Sequence, residues 1–178
     1  YIILQNGNNC MMSKLVKICH LTSAHPDGDI RIFHKQCVSL AKAGYDVSLI
    51  IPNTESRIEK GVNIISFESK YLTRKERMPK TVNTVLEKAL ELDADVYHFH
   101  DSELLRIALK LKRKGKKVIY DVHEDLPKQI MGKYWINPAL RKIVSFGIKV
   151  YENSITKRLD GVIAATPFIG ARFKKINE

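Results

Sequence analysis

Short apolar runs alternate along this chain with longer stretches whose apolar residues recur every three or four positions. Leu15 to Leu21 reads as a first strand and stops at the polar pair Thr22 and Ser23. Ile30, Phe33, Cys37, Leu40 and Ala41 then follow at helical spacing, and Gly44 is placed to close that helix. Val47 to Ile51 and Val62 to Phe67 are predicted as the second and third strands. Val82, Val85, Leu86, Ala89 and Leu90 mark the next helix. Val96 to Phe99 is a fourth strand, Leu104 to Leu111 a helix ending at Gly115, and Val118 to Val122 a fifth strand. Asn137 and Pro138 have the side chains of an N-cap and a first helical residue, and they open a long helix reaching Ile155. Val162 to Ala165 is the sixth strand, and Thr166 with Pro167 begins one more helix, expected to run about two turns.

Strands that alternate with helices of this length predict an α/β fold. The expected form is a doubly wound, Rossmann-like parallel sheet of order 3-2-1-4-5-6 with helices on both faces. In such a sheet the ligand crevice lies beyond the carboxyl ends of the strands. The residues there are unusual. The first strand is followed by His25, Asp27, Gly28, Asp29 and Arg31, the fourth by His100, Asp101 and Glu103, and the fifth by His123, Glu124 and Asp125. Three strand ends therefore carry a histidine beside a carboxylate. Simpler roles compete for each: Asp29 as a helix N-cap, Asp101 or Ser102 as another, Asp121 paired with a nearby lysine, and His98 and His100 as ordinary face residues.

Composition narrows the choice. Lys plus Arg number 30 against 19 Asp plus Glu, a formal charge of +11, which favours anionic partners. The excess gathers at Lys110 to Lys117 and at Arg141 to Arg158. No aromatic residues interleave with the first run, so a base-stacking nucleic-acid surface is not expected. Cys10, Cys19 and Cys37 are odd in number and lack CxxC spacing, as in a reducing cytoplasm. No apolar run reaches the ~20 residues that span a bilayer. Residues 1–12 are read as a leader, a tag or an early start, and residues 13–178 as one domain.

Three chemistries compete for the loop after the first strand. Ala24 to Asp29 resembles the Ala-His-Pro-Asp-Asp motif of zinc-dependent N-acetylglucosaminyl deacetylases, but Gly28 stands where the metal-binding Asp is required. A dinucleotide oxidoreductase needs three glycines here, and the loop has one. The third reading covers residues from Lys14 onward. Lys17 to Thr22, His25 to Phe33, and Ser39 to Val47 with its Leu40-Ala41 and Gly44 are similar to the opening of family-4 retaining glycosyltransferases of the GT-B fold. Asp95 to Asp101, Val118 to Glu124 and Asp160 to Thr166 resemble that family's fourth, fifth and sixth strands. The paired glycines usual after the first strand are reduced to Gly28.

The resemblance implies an acceptor-side N-terminal domain of an enzyme that moves a sugar from a nucleotide-sugar donor to an acceptor. The donor-binding domain is absent from these residues, so the fragment alone is expected to be inactive. It implies no cofactor and no active-site metal. His123 is the expected catalytic residue nearest the reacting sugar, with Glu124 orienting it or the acceptor. His25, Asp27, Gly28, Asp29, Arg31, His100 and Asp101 are the expected substrate-binding residues, with Arg31 reaching a phosphate or pairing with Asp27. Cell-surface polysaccharide synthesis, a sugar or lipid-linked acceptor, and a cytoplasmic location peripheral to the inner face of an acidic membrane complete the expectation. A non-catalytic α/β binding module using the same crevice remains open.

Overall fold

The computed structural model describes residues 15–69 and 74–177. The leader assigned to residues 1–12 lies outside them. Seven strands form one sheet: β1 (Lys17–Leu21), β2 (Asp46–Pro52), β3 (Arg57–Glu59), β4 (Val62–Phe67), β5 (Val96–Phe99), β6 (Lys117–Val122) and β7 (Gly161–Ala164). Their order is β3-β4-β2-β1-β5-β6-β7. The six strands legible in the sequence stand in the expected order and are all parallel. The added strand, β3, pairs antiparallel with β4 at the edge. It escapes the pattern because a three-residue strand with Ile58 exposed carries no apolar alternation.

The helices are α1 (Val38–Lys42), α2 (Arg74–Leu92), α3 (Leu105–Arg113), α4 (Leu126–Met131), α5 (Pro138–Thr156) and α6 (Pro167–Asn177). A wide-turned π-helical stretch, Ile30–Cys37, leads into α1. Helix α4 was not expected: six residues after a strand are too few to show a helical period. Asp125 caps it and Pro127 lies in its first turn. The caps predicted at Asn137, Gly44 and Gly115 hold. Asn137 accepts from the Ala139 amide at 2.9 Å, and Gly44 and Gly115 take the positive φ that ends a helix there. The last helix is longer than two turns, running through 11 residues.

Two unequal cores flank the sheet. On one face Cys19, Leu21, Tyr97, Phe99, Tyr120 and Val122 pack against α2, α3, α5 and α6. Inside this layer Glu152 is fully buried and is held by the Arg172 guanidinium and by the Tyr120 hydroxyl at 3.2 Å, which ties α5 to α6 and the sheet. On the other face the first helix covers only β2 and β4, through Ile32, Phe33, Cys37 and Val38 against Val47, Leu49, Val62 and Ile64. Over β1, β5 and β6 that same face carries no apolar core. Strand register places His20 beside His98, and two residues on lie His100 and Asp121, so these side chains share the uncovered half.

Asp29 is an N-cap. Its Oδ1 accepts from the Arg31 amide at 2.9 Å and the Ile32 amide at 2.8 Å. Asp29→Ala is therefore expected to lower the unfolding free energy by about 1 kcal/mol, and Asp29→Asn by much less. Urea denaturation of the two variants checks this; equal losses would remove the cap as the explanation.

Candidate functional site

Asp121 organises the carboxyl end of the sheet. It sits in β6 with no exposure to solvent, in a strand that is otherwise apolar from Val118 to Val122 save Tyr120. Burial alone would raise its pKa. Hydrogen bonding from His100, His123, Arg31 and Gln36 outweighs that cost and holds the carboxyl far below the ordinary range. Arg31 makes a two-pronged contact, Nε to Oδ2 at 3.2 Å and Nη2 to Oδ1 at 2.5 Å. Gln36 Nε2 donates to Oδ2 at 2.7 Å. Both partners come from the π-helical stretch, whose wide turns bring Arg31 and Gln36 to one carboxylate. The expected Arg31–Asp27 pair does not form.

Histidines surround this pair. His100 Nδ1 lies 3.5 Å from Asp121 and 3.4 Å from His123 Nε2, and His100 Nε2 lies 3.0 Å from His20 Nδ1. His98 is buried beside them, with Nε2 3.9 Å from Asp121 and no hydrogen-bond partner among the described residues. Burial lowers the pKa of His20, His98 and His100, and each is lowered further by its histidine neighbours; His98 falls to about 3. These rings are neutral at physiological pH. His123 is different. Its side chain is one-fifth exposed, and it reaches the crevice while its Nε2 stays 3.6 Å from Asp121.

A second carboxylate binds the β1 loop to the end of β5. Asp101 accepts from the Thr22 hydroxyl and the Ser23 amide, each at 2.7 Å, and lies 3.2 Å from His25 Nδ1. Burial opposes its charge, but the His25 bond and these donors win and hold it at about 2. The same bond raises the pKa of His25 against its own partial burial. Asp101 occupies an N-cap position, yet its carboxylate faces β1 and caps nothing.

Together these residues wall a crevice of about 280 Å³ beyond β1, β5 and β6. His25, His100, Asp101, His123 and Glu124 line it, five of the nine residues expected at the site. The other four serve elsewhere. Asp27 is absent from the crevice and accepts from Thr54 at 2.6 Å and Arg57 at 2.9 Å. Gly28 has φ +75° with open space where a Cβ would stand, so backbone conformation, and not close approach, requires glycine. Asp29 caps, and Arg31 holds Asp121. Glu124 lines the crevice and accepts from Gln129 Nε2, whereas Asp121 and His100 are the groups in contact with His123. Asp121, Gln36, His20 and His98 were not among the expected site residues. The available signal was period-two placement of ionisable residues, His98 with His100 and Asp121 with His123, in strands meant to be buried on both faces.

His100, Asp121 and His123 offer three ligand atoms 3.4 to 3.6 Å apart, close to the edge of about 3.3 Å expected for a tetrahedral metal site. His20, His98 and His100 form a second such group. The first would place a cation beside the Arg31 guanidinium and on an oxygen already filled by Gln36, so its charge and hydrogen bonding favour the apo arrangement. Asp27, which stands at the base position of the zinc-deacetylase motif, is held by Thr54 and Arg57.

The neutral histidines make stability depend on pH. Their folded pKa values lie below the unfolded value, so between the two the unfolded chain binds protons that the folded chain does not. Stability is therefore expected to fall as pH drops below about 6.5, by up to about 1.4 kcal/mol per pH unit for each histidine in its window. His25, shifted the other way, offsets part of this. Urea denaturation between about pH 7 and pH 5 measures the slope, and His98→Gln should flatten it; a flat profile in the unaltered chain would contradict buried neutral rings.

Comparison with known proteins agrees with the geometry. Among solved structures, two chains of sucrose-phosphate synthase from Thermosynechococcus elongatus are similar in fold. One matches with TM-score 0.63 and 16% identity over 90% of this chain and 45% of its own. The other matches with TM-score 0.59 and 16% identity over 89% of this chain and 81% of its own. The chain thus spans less than half of the first synthase chain. No curated protein matches in sequence. The profile of Glycosyltransferase Family 4 matches residues 31–177, from the Asp121-binding Arg31 to the end of α6, and the chain belongs to that family.

Proposed function

We propose that this domain holds the acceptor, and closes over the sugar of a nucleotide-sugar donor, in a retaining glycosyl transfer that serves cell-surface polysaccharide synthesis. The observation that carries the reading is His123: of the two Asp121-bound histidines that line the crevice, its side chain is the one open to solvent, 21% exposed against 0% for His100. Its Nε2 is turned toward a buried carboxylate, so the ring is fixed, and the rest of the imidazole faces the space where a sugar would sit. A fixed imidazole can hydrogen-bond a donor hydroxyl and follow the charge that grows on the sugar as the diphosphate leaves. Asp121 and His100 are positioning residues, acting through His123.

The crevice volume supports a half-site. At about 280 Å³ it falls below the roughly 300–1,000 Å³ of ligand sites that enclose their ligand. A sugar and part of an acceptor fit; a nucleoside diphosphate needs further walls. The leaving diphosphate requires positive groups or helix N-termini. Arg31 is committed to Asp121, so that charge comes from residues outside this domain.

The test is release of nucleoside diphosphate by the full-length enzyme from a panel of nucleotide sugars, with and without acceptor. His123→Ala should lower kcat by about a hundredfold or more with little change in donor KM. Asp121→Asn should lower kcat by a smaller factor and leave His123 less ordered in its ring NMR signals. A His123→Ala enzyme as active as the parent, with an unchanged melting temperature, would remove this site from the chemistry.

A further inference from the structure

Helix α5 is built inside out. At about 100° per residue, Ser145, Ile148, Glu152 and Ile155 fall on its inward side. Leu140, Ile143, Phe146 and Val150 fall on the outward side, Val144 and Tyr151 lie on its flank, and all six are exposed. A surface helix ordinarily shows the reverse. The turn before it continues the patch: Tyr134 is 82% and Trp135 66% exposed, their rings 5.0 Å apart, while Ile143 and Phe146 are each 68% exposed. Arg141 donates to the carbonyls of Ile136, Met131 and Tyr134, so this turn is held out by design of the loop and not by chance of a loose end.

Charge selects the partner. Between Leu126 and Arg158 there are seven basic residues and one acid. That acid, Glu152, is buried against Arg172 and contributes nothing to the outer surface. Lys142 and Lys149 stand along one margin of the apolar arc, and Lys133 lies 5.7 Å from the Trp135 ring. Lys128 and Lys149 also line a groove of about 620 Å³ between α4, α5 and α6 that opens beside the arc. An apolar strip with indole and phenol rings at one end and lysines at its edge, free of opposing acids, matches the layering of an anionic bilayer surface. No helix among the described residues is long and apolar enough to cross a membrane.

We infer that the outer face of α5 and the Tyr134–Trp135 turn dock this domain on an anionic lipid surface, with the apolar strip at the level of the headgroups and the lysines on the phosphates. This inference stands on the helix surface and not on the crevice, and the two can fail separately.

Trp135 is the only tryptophan in the chain and is the probe. Mixed phosphatidylcholine–phosphatidylglycerol vesicles should shift its emission to the blue and sediment the protein; phosphatidylcholine alone should do neither. Lys142→Glu with Lys149→Glu should weaken vesicle binding by about tenfold or more, as should raising salt. Phe146→Ser should weaken it without restoring salt-insensitive binding. These surface residues lie outside the crevice, so nucleoside diphosphate release from a soluble donor should be unaffected. Emission unchanged by anionic vesicles would overturn the inference. So would a lipid-free, concentration-dependent dimer that shields Trp135 and is lost in Phe146→Ser, because the strip would then be a contact between copies. Equal binding by the Lys142→Glu and Lys149→Glu protein would overturn the assignment of charge.

Discussion

A carboxylate without access to water must be satisfied by its neighbours, and Asp121 satisfies this with four groups drawn from three places. Arg31 and Gln36 come from the first helical stretch, His100 from the end of β5, and His123 from the end of its own strand. Removing any one leaves a buried charge underpaired, which is costly in a way that losing an exposed ion pair is not. The arrangement thereby fixes two things at once: the seat of the first helix on the sheet and the rotamer of His123.

The same constraint explains the asymmetry of the two sheet faces. One face has a continuous apolar core from Cys19 to Phe173. The opposite face has such a core only over β2 and β4. Over β1, β5 and β6 it has four histidines and an aspartate instead. A fold that only had to be stable would fill that half with aliphatic side chains, which need no hydrogen bonds. Unpartnered ring nitrogens of His20 and His98, both fully buried, are a cost without structural return. Such costs concentrate where a surface is shaped for a ligand, and here the polar half lies under the crevice.

The architecture was legible because its strands are short, mostly apolar runs set between stretches of helical period. The helix caps at Asp29 and Asn137 were legible because cap chemistry is local. The edge strand β3 and helix α4 were not, since each is shorter than the period that would reveal it. The crevice residues divide in the same manner. His25, His100, Asp101, His123 and Glu124 were found because strand ends define the crevice. The partners of Asp27 and Arg31 were not legible, because Arg57 and Asp121 are 30 and 90 residues away and spacing along a chain carries no record of such pairs. Asp121 was visible as a residue but not as a hub. That role depends on register between parallel strands, which only the sheet supplies.

Helix α5 shows the limit of periodicity from the other side. Its apolar residues recur with a helical period, and that correctly marks a helix. The inference that usually follows, that the apolar face points inward, fails here. Glu152 turns inward because Arg172 and Tyr120 receive it, and a helix anchored by a buried ion has one rotational setting. That setting sends Ile143, Phe146 and Val150 outward. A sequence pattern gives the phase of a helix relative to itself; the buried polar contact gives its phase relative to the fold. The outward strip is thus the consequence of an inward charge, and both lie on the one element that leads away from the crevice.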